Sequence, residues 1–330
     1  MNGLSLARLT PGILLLLILT GCASTPLTDR LLEHRPAEIK AHSELDSLSF
    51  FPQQQYQCGP AALATMLDFQ GINITPDELV GKVYLPQRQG SLQLEMIATA
   101  RQYGLLAYKL DPGLDTIMTA VAHGHPVLVF QNLSFSFWPQ WHYAVVAGYD
   151  LDRQEIILRS GTIKQHSLSF HTFERTWQRA GHWAYILLKP GVIPQSAKAL
   201  KYTQAAHELS ESGFRNDALI SYRAAAKKWP RDTVTTMILG NAEYTAGNLL
   251  AAENSFRQSI ENEPLHADAW NNLAYVLAAR GCPTTARQAI NCALTLSPDN
   301  NNIRQSYKEL IGQLAVDSAE CMPIICPQNR

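Results

Sequence analysis

The sequence has no excess of charge of either sign. Its 27 Lys and Arg stand against 28 Asp and Glu, for a formal net charge of -1. That balance offers no electrostatic footprint for nucleic acid, and none is expected as a partner. Metal-ligand spacing is also missing. The 10 histidines and 6 cysteines form neither a paired CxxC nor an HExxH, so neither a metal nor another cofactor is expected. A third lack is a long hydrophobic run at the start of the chain. The apolar stretch ILLLLIL at 13–19 is too short for the roughly 20 residues that a bilayer-spanning helix needs. What is present is a chain of 330 residues, 46% hydrophobic and 17% charged, long enough to bury two cores.

The first 22 residues read as a targeting segment: Arg8, the apolar run, then Leu19-Thr20-Gly21-Cys22. The tetrapeptide resembles the bacterial lipobox. The resemblance implies cleavage before Cys22 and lipid attachment to it, and several acyl chains give a lasting anchor. Ala23 follows Cys22 where an Asp would suggest inner-membrane retention, so the implied location is the periplasmic face of a bacterial outer membrane, lipid-anchored. An ordinary signal peptide with an incidental Cys22 is the other reading. Residues 23–45, with Pro26, Pro36 and mixed charges, read as a tether carrying a short helix near LLEH.

Chemistry concentrates in 53–66, QQQYQCGPAALATM. Cys58 sits at the foot of an alanine-rich segment that reads as a helix, where backbone N–H groups and the macrodipole favour thiolate over thiol. Gly59 lets the backbone pass close to a substrate and Pro60 suits a first helical turn. The glutamines upstream are candidate oxyanion donors. Around this stretch, helices are expected from Ala61 to Phe69, from a capping box at Thr75–Glu78 and from Ser91 to Tyr103, and Leu114 to Ala122 is an amphipathic stretch. The runs LLAYKL, PVLVF, HYAVVAGYD, EIILRS and WAYILLKP follow, the later ones being β-branched, aromatic and of strand length. Helices first and strands second define an α+β domain, assigned to 46–193.

A cysteine opening a helix, followed by a histidine opening a strand, resembles the papain-like cysteine peptidases. FPQQQYQCGPAALATML and HYAVVAGYD are similar, more narrowly, to the cysteine and histidine blocks of the double-glycine leader peptidases, which trim bacteriocin precursors. The resemblance implies Cys58 as nucleophile, His142 as the base and Gln53 as oxyanion donor, with Gln54 and Gln55 as neighbours in register. It also implies an Asp or Asn on the strand after the histidine hairpin. Here Ser160 or Arg159 falls there, and Asp150 and Asp152, both in the turn, are either substitutes for it or hairpin residues. A serine hydroxyl can accept an N–H but cannot stabilise imidazolium as a carboxylate does. His182, which also precedes a strand, is the chief rival of His142. The aromatic stretch FSFWPQW at 135–141 either lines a cleft or covers the sheet.

After Pro194 the composition changes. Gly213, Gly247 and Gly281, Ala218, Ala252 and Ala286, Tyr222, Phe256 and Ile290, and Pro230, Pro264 and Pro298 all recur at a spacing of 34. This pattern resembles the tetratricopeptide repeat. It implies an all-α solenoid of three repeats over 199–300, with a capping helix and a Cys-containing tail over 301–330. Cys282, Cys292, Cys321 and Cys326 are disulfide candidates whose pairing is open, a bridge from the tail to the last repeat competing with a local Cys321 to Cys326 bridge.

Two functions follow from this organisation. One is a membrane-anchored cysteine peptidase acting on a polypeptide that the repeats recruit. The other is a non-catalytic, protein-binding lipoprotein that keeps the peptidase fold as a scaffold.

Overall fold

The structure, a computed structural model, describes residues 24–37, 39–53, 57–88, 90–312 and 320–327. The targeting segment with Cys22, and Gln54 and Gln55, lie outside the described residues.

The centre of the first domain is the strand β6, Trp141–Asp150, whose residues from His142 to Tyr149 are all buried. Its alternation serves two cores at once. Ala144 and Val146 join one cluster, while Tyr143, Val145 and Ala147 join the other, as the period of 2 requires of a strand covered on both faces. β6 pairs antiparallel with β5 (Val127–Asn132) on one side and β7 (Glu155–Ser160) on the other. β9 (Ala184–Leu188) and β4 (Leu106–Lys109) extend the sheet beyond β5, and β8 (Ile163–Ser169) extends it beyond β7. The short β1, His42–Glu44, pairs with the far end of β6.

On one face lie α2 (Cys58–Phe69), α3 (Pro76–Val83) and α4 (Gln93–Gln102). The capping box expected before α3 is formed, with Thr75 N–H and hydroxyl both donating to Glu78 at 2.8 and 2.7 Å. α4 begins two residues later than the sequence suggested, because Ser91 pairs with Tyr84 in a two-stranded ribbon, β2 (Tyr84–Leu85) and β3 (Gly90–Ser91). The other face carries α5 (Leu114–Ala122) and α6 (Phe170–Gln178).

Part of the stretch expected as a tether is folded. Pro26–Glu33 form α1, the helix anticipated near LLEH. It docks on α6 through the fully buried Glu174, which accepts from the Leu27 and Thr28 N–H groups and the Thr28 hydroxyl at 2.9, 2.6 and 2.6 Å. Placing a carboxylate over the free N–H groups of a helix start satisfies otherwise orphaned donors.

The repeats are three antiparallel helix pairs: α7 (Ala199–Glu211) with α8 (Arg215–Lys228), α9 (Thr233–Thr245) with α10 (Leu249–Asn262), and α11 (Ala267–Ala279) with α12 (Pro283–Leu296). Each recurring glycine follows a first helix at positive φ, 97°, 78° and 81°, the conformation that ends a helix with least strain in glycine. α13, Asn301–Ile311, buries Ile303 and Leu310 against the last pair, as a cap should. The junction after 193 is no free linker. Tyr202, Ala206 and Leu209 of α7 are buried in the same core as Val129, Val146 and Ile186 of the sheet. Lys198 N–H donates to the Tyr108 hydroxyl at 3.1 Å, and Arg101 pairs with Glu208 across the boundary. One face of the first repeat therefore packs on the sheet.

The four distal cysteines form two bridges, Cys282–Cys321 and Cys292–Cys326. Both tie the tail to the last repeat, which rules out the local Cys321 to Cys326 pairing.

Candidate active site

α2 lies flat on the sheet, and everything from Gly59 to Leu67 is buried. Its first residue, Cys58, is half-buried and is the free cysteine among the described residues. Gly59 is required by close approach: a Cβ built there would stand 2.2 Å from Ser91 Oγ and 2.6 Å from Ser91 Cβ. The N–H groups of Tyr143, Gly59 and Cys58 itself are directed at the sulfur and favour thiolate, yet burial outweighs them and pushes the thiol above its ordinary range. A thiolate stabilised by the helix start is therefore not the resting state. The helix effect is present, and desolvation by the neighbouring apolar side chains is larger.

His142 is the second residue of β6 and borders the same cavity as Cys58. It is 8% exposed, and burial holds its imidazole down at about 4, with His166 adding a smaller push in the same direction. Ser160, the last residue of the adjacent β7, brings its Oγ to 2.8 Å from His142 Nε2. Nε2 is engaged there, and Nδ1 is the other ring nitrogen. Arg159 is committed elsewhere, donating to Glu44 at 3.1 Å and to the Lys164 carbonyl at 2.8 Å. Asp150 caps the turn by accepting from Asp152 and Arg153 N–H groups. It lies eight residues along β6 from His142, about 27 Å at strand rise. Asp152 sits beside Arg35 at 3.6 Å. Neither carboxylate serves the histidine. His182 packs edge-on against Trp177 at 4.8 Å and does not border the cavity.

Gln53 borders the cavity, and its N–H donates to the Gly161 carbonyl at 3.1 Å, tying it to the turn that follows Ser160. The cavity measures about 920 Å³, at the upper end of the range for ligand sites. Arg88, Ser91, Phe130 and Trp141 also line it. Of the stretch 135–141, Trp141 lines the cavity and Phe137 and Trp138 are exposed, so these rings do not cover the sheet. Ser91 carried no signal in the sequence, since a two-residue strand leaves no periodicity to read. Among the described residues no group of three or more His, Cys, Asp or Glu side chains converges as a metal site would.

A cysteine at a helix start, a histidine on the neighbouring strand and a sheet with helices on both faces define a cysteine-peptidase-like domain of α+β class, followed by an all-α run. Residues 45–185 match the Peptidase_C39-like family and residues 239–301 match the tetratricopeptide repeat. The chain thus combines a Peptidase_C39-like domain with repeats of a protein-interaction type. Similar solved structures include a C39-like peptidase from Bacillus anthracis, 17% identical, covering 45% of this chain and 98% of that one with a TM-score of 0.37. They also include the first tetratricopeptide domain of Spaghetti (RPAP3) bound to an HSP90 peptide, 16% identical, covering 35% and 91% with a TM-score of 0.33. A third is the TPR2B domain of yeast Sti1 in complex with an Hsp70 peptide, 20% identical, covering 35% and 98% with a TM-score of 0.33. No curated protein matches the chain.

Proposed function

We propose that this protein is a thiol peptidase that cleaves a polypeptide brought to it by its repeats. The observation that carries the reading is the shared cavity of Cys58 and His142, with Ser160 holding the imidazole from behind. Because both groups rest neutral, the thiol proton passes to His142 Nδ1 as the sulfur attacks, rather than beforehand. The C–S bond forms as the carbonyl electrons move to oxygen, where the Gln53 side chain and the Cys58 N–H donate. His142 then returns the proton to the leaving nitrogen, the C–N bond breaks, and water releases the acyl group from sulfur. Ser160 accepts from Nε2–H throughout and fixes the tautomer. A map of periplasmic polypeptides cut by wild type but not by Cys58→Ala tests this reading and identifies the substrate.

The scaffold reading has its own support: a serine in place of an acid, and a thiol and imidazole both driven toward their neutral forms. Retained Cys58 and His142 in one cavity weigh against it. We also propose lipid attachment at Cys22 and a periplasmic, outer-membrane location, supported by the four residues 19–22. Cys22→Ser should then move the protein out of the detergent phase; unchanged partition would refute the anchor.

A further inference from the structure

One wall of the cleft is aromatic: Trp141 stacks on Phe130 with centroids 5.2 Å apart and 13° between planes, and Phe130 meets Tyr143 at 4.5 Å. Trp141 keeps 51% of its surface open beside the buried His142. Past the rim, Phe135 and Phe137 stack on each other at 5.3 Å, both exposed. Residues 133–141 contain no charged side chain.

This wall is held in place. The Asn132 side chain accepts from the N–H groups of Ser134 and Gln140 at 3.0 and 2.9 Å, joining the two arms of the loop. Leu133 N–H donates to the Gln140 carbonyl at 2.9 Å, and the Arg179 guanidinium grips the Asn132 carbonyl at 3.0 and 3.2 Å. An aromatic surface fixed in advance binds without the entropy loss of ordering it.

The cavity lining also includes Arg88, an exposed side chain with no ion pair among the described residues. None of the described residues lining the cleft is acidic. Ser91 Oγ is buried there with no hydrogen-bond partner among the described residues.

We propose that the cleft selects polypeptide segments that lay a bulky apolar side chain on Trp141 and Phe130 beside the bond attacked and turn an acidic residue toward Arg88, and that it discriminates against basic segments. Burying a phenylalanine side chain on a fixed aromatic surface favours it over alanine by about ten- to a hundredfold. A lysine near Arg88 meets a like charge with no carboxylate to relieve it, while a glutamate gains an exposed ion pair worth a few-fold. The proposal rests on Cys58 as the point of attack, and its test separates selection from chemistry.

The test is peptide binding to the full chain carrying Cys58→Ala, using four fluorescent peptides of one length that differ only in Phe against Ala and in Glu against Lys. The Phe peptides should bind at least tenfold tighter than their Ala counterparts, and Glu should beat Lys a few-fold, less so at high salt. Trp141→Ala should abolish the first preference, and Arg88→Glu should invert the second. Equal binding of all four, no binding, or preferences that survive these substitutions would overturn the proposal. So would binding to phosphatidylethanolamine and phosphatidylglycerol vesicles that depends on Trp141 while peptides show no preference. If the Phe and Glu peptide binds as expected but wild type leaves it uncut, selection stands and the peptidase reading falls.

Discussion

Ser160 Oγ and His142 Nε2 stand 2.8 Å apart, so a hydroxyl meets the imidazole where the resemblance implied an Asp or Asn. It can fix the imidazole in one tautomer, but it adds no negative charge to favour imidazolium. Ser160→Ala is therefore expected to lower kcat/KM by about ten- to a hundredfold, less than loss of a triad carboxylate costs. Ser160→Asp should raise the His142 pKa and move the acid limb of kcat/KM upward. A pH profile of both variants checks this, and an unmoved limb in Ser160→Asp would contradict it.

The resting pair sets the pH behaviour of the thiol. Burial keeps the Cys58 thiol above its ordinary range, so iodoacetamide should label it slowly at pH 6 and faster as pH rises, without a plateau at low pH. A fast, flat labelling rate below pH 6 would point to a preformed thiolate.

The same burial is linked to stability. His142 titrates at about 4 when folded against 6.5 as the ordinary value. Between those limits the unfolded chain binds more protons, so stability falls as pH drops from 6.5 toward 4, by on the order of 3 kcal/mol. Denaturant unfolding at pH 7 and pH 4.5 should show this loss, and His142→Gln should remove that part of it.

Because Tyr202, Ala206 and Leu209 complete the sheet's core, a chain ending at Pro194 should expose that face. It is expected to lose near-ultraviolet circular dichroism and cooperative melting. Tyr202→Ala in the full chain should cost about 3 kcal/mol or more. A soluble, cooperatively folding chain ending at Pro194 would show that the repeats are independent of the peptidase-like domain.

Much of the fold was legible wherever it is local. Thr75 and Glu78 announce α3, the 34-residue columns announce the repeats, and the apolar runs of β5, β6, β7 and β9 announce the sheet. β8 was missed because its side chains are polar and mostly exposed, as suits an edge strand. α6 was missed because it follows β8 without a turn, although Phe170, Phe173 and Trp177 form its buried stripe. Cys58 and His142 were legible from their place at element starts. The burial that holds both neutral was not, since it comes from side chains distant in sequence, as does the engagement of Arg159 by Glu44. The docking of α7 on the sheet was hidden for the same reason, since alanine and tyrosine at repeat positions read alike whether they face a repeat or a strand.

The most direct test of the central claim is turnover of one cleavable polypeptide by wild type, Cys58→Ala and His142→Ala, each full chain being shown to fold by its melting curve. The account predicts cleavage by wild type and loss of turnover in both variants, with substrate binding retained. Cleavage that persists in either variant, or folded wild type that binds the polypeptide and never cuts it, would contradict the account.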